Sequence, residues 1–299
     1  MDRRKFLTHS AIAGVGLLAA RCTPAMGVSN NRVHGAILKL SSQEGVAPGA
    51  SLTEKLDFLE EHGYTGLEPG GRGLQNRVTE FQKALEHRTI KISAVVAGFQ
   101  GFLIAKDPAV RQQAFDSIKV ILEAAGALGS TGLIVVPAFN HQESLPHVEA
   151  RERLVEMLKE LGEHAIRHNT RVLLEPLNRR EAWFLRLLAD AAAIAKDTGS
   201  NGIGVIGDFW HMTWEETSDL GAILSASDYL HHMHIASRQR RNMPGEDAGD
   251  NYTEGFKALK HIGFQNYISL ECGSAGDRKV TIPAAARLMR TQWEKASLC

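Results

Sequence analysis

The sequence predicts a single closed (β/α)8 barrel, on three observations. Short apolar runs of strand length alternate with amphipathic stretches of about ten to fifteen residues, the pattern of βαβ units and a parallel sheet. The alternation repeats eight times without a Pro/Gly-rich linker or low-complexity tract to divide it. The length, 299 residues with 43% of them apolar, suits one large α/β domain.

Residues 1–29 read as an export signal rather than as part of the fold. Arg3-Arg4-Lys5-Phe6-Leu7 is a twin-arginine pattern, and the apolar run from Ala11 to Ala20 follows it. That run is too short to cross a bilayer as a helix, and Thr23-Pro24-Ala25 supplies small residues for cleavage. A periplasmic protein with no stable membrane insertion after signal removal is the expectation, and the barrel occupies 30–299.

Strands are predicted at 33–40, 64–68, 90–97, 132–139, 171–177, 203–209, 230–236 and 267–271. The helices between and after them fall at 51–61, 76–87, 107–128, 145–168, 183–197, 215–225, 253–261 and 282–296. Ser51 is an N-cap with Glu54 at the capping-box position, and His62-Gly63 stops that helix. Pro69-Gly70-Gly71 makes a sharp turn, and Asp107-Pro108 starts the third helix. These assignments define a TIM barrel.

In the back half, four strands end alike. Arg171-Val-Leu-Leu leads to Glu175, Ile203-Gly-Val-Ile-Gly to Asp208, Leu230-His-His-Met to His234, and Tyr267-Ile-Ser-Leu to Glu271. Strand C-termini of a closed parallel barrel converge on one face. Three carboxylates and one imidazole gathered there form an O/N donor set suited to Mn²⁺, Mg²⁺ or a similar divalent ion. The loops 70–75 and 237–251 open on the same face, where long βα loops commonly cover a substrate.

Other features exclude alternatives. Basic and acidic residues balance at 34 each, which argues against nucleic acid as a partner. Three cysteines, one of them Cys22 in the leader, cannot build a disulfide framework or a Cys-rich zinc site. Cys272 follows Glu271 and is predicted to point to the opposite side of its strand. His232 lies on the same side as His234 by alternation and is read as filling the barrel interior, not as a ligand. Trp210, Trp214, Phe99 and Phe139 are candidates either for stacking on a sugar ring or for rim packing.

With these residues in place, the chain resembles the xylose isomerase-like TIM-barrel superfamily, in particular its sugar isomerase and ketose 3-epimerase members. Glu175-Pro-Leu-Asn178 resembles the Glu-x-x-Asn turn of that family, Asp208-Phe-Trp-His211 its Asp-x-x-His, and Tyr64-Thr-Gly-Leu-Glu68 its strand-two pattern. The resemblance implies a divalent-metal-dependent sugar isomerase or epimerase. It implies one ion held by Glu175, Asp208, His234 and Glu271, with Mn²⁺ foremost and Mg²⁺, Co²⁺ or Zn²⁺ as alternatives. It makes Glu175 and Glu271 the catalytic carboxylates, and His211, Arg240, Glu181 and Glu68 the substrate contacts. His141 is a weaker candidate contact. The substrate is then a small carbohydrate, and a homodimer or homotetramer is the implied assembly.

Two other reactions fit the same scaffold. A 3-keto-glycoside lyase would abstract the proton beside the ketone and expel the group at C1, and export favours it. An endonuclease IV-like DNA-repair enzyme is remote, because Glu68 stands where a His ligand is required and Asp247-Ala-Gly249 where an Asp-x-His is required.

Overall fold

The computed structural model describes residues 35–297. The segment 1–29, expected as an export signal, the residues up to 34 and residues 298–299 lie outside that range. The strands are β1 (Lys39–Gln43), β2 (Gly66–Glu68), β3 (Lys91–Ile92), β4 (Val95–Val96), β5 (Leu133–Val135), β6 (Val172–Leu174), β7 (Ile203–Asp208), β8 (Leu230–Ile235) and β9 (Tyr267–Leu270). All pairings are parallel, in the order β3-β2-β1-β9-β8-β7-β6-β5-β4. The nine pieces make eight barrel strands, because β3 and β4 are one strand broken at Ser93-Ala94. Ser93 N still donates to Leu67 O of β2, at 2.9 Å, whereas Val95 N already donates to Gly132 O beside β5, at 2.9 Å. The broken strand therefore closes the ring.

The helices are α1 (Leu52–Glu61), α2 (Val78–Leu85), α3 (Pro108–Ala127), α4 (His147–Arg167), α5 (Leu188–Thr198), α6 (Phe209–Glu215), α7 (Asp219–Ala226), α8 (Thr253–His261) and α9 (Arg278–Lys295). Ser51 caps α1 as expected: Glu54 N donates to Ser51 Oγ at 3.2 Å, and the Glu54 carboxylate reaches back to Ala50 N at 2.7 Å.

Several expected bounds shift. The helix expected at 183–197 begins only at Leu188, because 179–187 form a loop in which Leu177 N donates to Leu185 O. The helix expected at 215–225 is two helices, and the first starts six residues earlier because Asp208 caps it through Oδ1, accepting from Trp210 N at 2.8 Å. The last helix starts at Arg278 rather than 282, capped by Asp277, with Pro283 inside its second turn.

Strand residues are buried on both faces, as a helix-covered parallel sheet requires. Val172 and Leu174 face the helices and join the main core, whereas Leu173 packs with Ala94, Ile134 and Ile206 inside the barrel. The rest of the interior is polar. Ser41 Oγ and Ser93 Oγ are 2.7 Å apart, and Glu68 and His232 are fully buried. Two residues further along their strands, the interior side carries Glu175 and Asp208.

One irregularity sets the register of the site. Val205 pairs with Leu230 but Ile206 pairs with His232, so His231 is an extra residue in β8, a β-bulge. Beyond it Asp208 lies opposite His234. His231 packs over Gly204, where a Cβ would fall 2.4 Å from its ring. Burial, with the nearby Arg171 charge, pushes the His231 pKa down to about 4. The unfolded chain, titrating near 6.5, therefore binds a proton that the folded chain refuses, and stability falls as pH drops from about 6.5 to about 4. We expect the urea midpoint of the wild type to decline more steeply across that window than that of His231→Leu. Equal slopes for the two proteins would mean that His231 titrates normally.

Candidate metal centre

Each expected ligand sits at the C-terminal end of its strand or one residue past it. Glu175 follows β6 and continues its pairing, its N donating to Val135 O at 3.1 Å. Asp208 and His234 close β7 and β8 side by side. Glu271 follows β9 and donates its N to Ile235 O. The four residues offer donor atoms that all lie within 4.8 Å of one another. The structure thus brings together all four.

The spacing fits a shared cation. His234 Nδ1 lies 3.4 Å from Glu175 Oε1 and 3.1 Å from Glu271 Oε2. Donors around an octahedral ion bound at about 2.1 Å stand about 3.0 Å apart. Glu175 Oε1 and His234 Nδ1 are buried without any hydrogen-bond partner, although such atoms are rarely left so. Asp208 divides its carboxylate: Oδ1 caps α6, and Oδ2 turns to the centre, 3.5 Å from His211 Nε2. The donor set therefore fits a divalent metal.

A layer beneath holds these ligands. Glu68 is wholly buried and accepts from His234 Nε2 at 2.9 Å and His232 Nε2 at 2.7 Å. With Nε2 bonded to a carboxylate, His234 presents Nδ1 to the centre, as metal-ligating imidazoles generally require. Glu68, expected as a substrate contact, is instead a support for His234 and has no surface to offer a substrate. His232 fills the interior as expected. Gln43, at the end of β1, uses its amide nitrogen twice: it donates to Glu68 Oε1 and to Glu271 Oε1, each at 3.0 Å. The sequence reading passed over Gln43. Its signal was the one used elsewhere, a polar residue closing a strand.

The electrostatics are lopsided. Burial opposes charge on His234, but Glu68 and Glu271 outweigh it and hold its pKa well above the usual value. Burial also pushes Glu271 upward, yet His234 and Arg241 bring it down to about 2. Glu175 is raised by burial, with the Glu271 charge adding to it.

The substrate-binding candidates separate. His211 Nδ1 accepts from Asn178 N at 3.1 Å and lies 2.9 Å from its Nδ2, which leaves Nε2 buried, unpartnered and facing the centre. Glu181 sits at the rim, accepting from Asn178 Nδ2 at 3.1 Å. Arg240 turns away: its side chain pairs with Asp247 at 2.5 Å and with the Glu246 carbonyl. Arg241 takes the expected place. Its guanidinium stands 2.5 Å from Glu271 Oε2 and 3.3 Å from Asp208 Oδ2, and lies over the Trp210 ring. Its backbone adopts φ 55°, a left-handed conformation unusual outside glycine, which turns the side chain inward from the loop. Phe139 stacks against His141 and packs edge-on to Phe102, and Cys272 touches Met243.

Known proteins agree with this architecture. The chain is 28% identical to 3-dehydro-D-guloside 4-epimerase of Escherichia coli over 242 residues, covering 78% of this chain and 92% of the relative. It is 32% identical to D-psicose 3-epimerase of Enterocloster bolteae over 121 residues, 40% of each. The crystal structure of 3-keto-D-glucoside 4-epimerase from E. coli superposes with a TM-score of 0.77 at 25% identity, covering 86% of this chain and 99% of that one. The profile of one family matches residues 56–292: the chain belongs to the xylose isomerase-like TIM barrel family.

Proposed function

We propose that this chain is a divalent-metal-dependent epimerase of keto-sugars, with 3-keto-glycosides the favoured class, that exchanges the hydrogen on the carbon beside the ketone. The observation that carries this reading is the pair Glu175 and Glu271, flanking one buried imidazole nitrogen in a centre that demands a cation. The relative that covers most of this chain is a 4-epimerase of a 3-keto-glycoside, which supports the substrate class.

Glu175, Asp208, His234 and Glu271 would hold the ion, Mn²⁺ first. When bound, it polarises the ketone and offsets the negative charge that develops on its oxygen. The residues do the proton work. Glu271, kept ionised by His234 and Arg241, accepts the proton from the carbon next to the ketone. Glu175, more readily protonated through burial and the Glu271 charge, returns a proton to the opposite face, and the centre inverts. His211 Nε2 and the Arg241 guanidinium donate to substrate oxygens and fix which carbon lies between the two carboxyl groups. Reading residues 1–29 as an export signal places the reaction in the periplasm.

Loss of either carboxylate removes general-base work typically worth about 10²–10⁴-fold. With Mn²⁺ and a 3-keto-glycoside in D₂O, the wild type should incorporate deuterium beside the ketone with inversion, and Glu175→Gln and Glu271→Gln should lose at least about 100-fold in exchange. Exchange within tenfold of the wild type in either variant overturns its role. Release of the aglycone without inversion would assign the lyase reaction instead. Chelation should abolish the exchange and added Mn²⁺ restore it; full activity in a metal-stripped protein, verified by elemental analysis, would rule out the metal. Arg241→Ala should lower kcat/KM at least about tenfold, the order of one charge-assisted hydrogen bond, and Arg240→Ala should stay within about threefold. The reverse ranking would return the substrate role to Arg240.

A further inference from the structure

The described residues hold a second cluster of metal-ligating side chains, on the outside of the barrel and away from the strand ends. It lies where α3 and α4 finish together. Glu123 comes from the last turns of α3, and His164 and His168 from the last turn and C-cap of α4. Their donor atoms lie within 4.8 Å of one another. His164 and His168 stand four apart, so their rings fall on one face of the helix, with centroids 4.7 Å apart and planes tilted by 37°. His164 Nε2 is 3.4 Å from Glu123 Oε1.

Two independent features point to a cation here. His164 is only 6% exposed, and its Nε2 has no hydrogen-bond partner. A buried imidazole nitrogen left this way asks for a ligand. Both helices end at the cluster, and helix C-termini concentrate negative partial charge from unpaired carbonyls. Lys119 pairs with Glu160 at 3.8 Å, and Arg167 contacts His164 at Nδ1, 3.5 Å away, leaving Nε2 for the ion.

We propose that Glu123, His164 and His168 form a transition-metal site that ties α3 to α4. Two imidazoles and one carboxylate select Zn²⁺, Cu²⁺ or Ni²⁺ over the hard ions Mg²⁺ and Mn²⁺, because nitrogen donors favour the later metals. An exposed carboxylate and open coordination positions make the site labile, and its effect is to stabilise the helix pair by binding the folded chain alone. The site does not depend on the reaction assigned to the barrel centre.

Equilibrium dialysis of the full chain against Zn²⁺ tests this, with elemental analysis of bound metal and thermal unfolding with and without Zn²⁺. Wild type should bind one more zinc ion per chain than His168→Ala. Zinc should raise the Tm of the wild type by more than that of the variant, and the two should unfold alike without metal. Glu123→Gln, at an exposed position that folding does not depend on, should weaken the same binding event at least about tenfold. Equal zinc counts and equal Tm shifts in wild type, His168→Ala and Glu123→Gln would overturn the proposal. A count falling from two to one across the variants leaves the barrel centre intact, whereas a fall from one to none means that the centre takes no zinc. The two sites are thereby read separately.

Discussion

Four carboxylates, Glu68, Glu175, Asp208 and Glu271, crowd around one imidazole at the mouth of the barrel, and three of them are buried almost completely. Taking a single charge out of water costs several kcal/mol, so such a cluster persists only where positive charge is supplied. His234 and Arg241 supply part of it within the chain. A bound cation would supply the rest, and the surrounding architecture holds the donors in place. Gln43 joins β1 to Glu68 and Glu271, Asn178 fixes His211, and the α6 N-terminus takes one oxygen of Asp208 and leaves the other free.

The barrel divides its interior accordingly. Ala94, Ile134, Leu173 and Ile206 fill one side with hydrocarbon, which fixes strand positions by packing. Ser41, Ser93, Glu68 and His232 fill the other with groups that hydrogen-bond one another. A polar network of this kind is stable only if nearly all its members are satisfied. Among the atoms left without a partner, Glu175 Oε1, His211 Nε2 and His234 Nδ1 face the centre.

Much of this was legible in the sequence because the signals are periodic. The strand and helix alternation gave eight barrel strands, and the polar residues closing four successive strands gave the four residues that meet at the centre. Where periodicity stops, the reading failed. Residues 183–187 are apolar enough to resemble a helix, but they form a loop in which Leu185 O accepts from Leu177 N. In the loop after β8, three arginines lie within four residues, and no local rule separates Arg240 from Arg241. A tertiary partner decides: Asp247 captures the first and the carboxylates of the centre capture the second. The family resemblance made Glu68 a substrate contact, but here two imidazoles hold it in the barrel interior.

The bulge at His231 sets which β8 side chain stands opposite Asp208. Were β8 to pair regularly beyond Leu230, with His231 opposite Ile206, Met233 rather than His234 would face Asp208. A thioether there suits soft cations and rejects the oxygen-loving ones. One residue left out of the pairing, invisible to the fold at large, decides whether an imidazole or a thioether stands at that position.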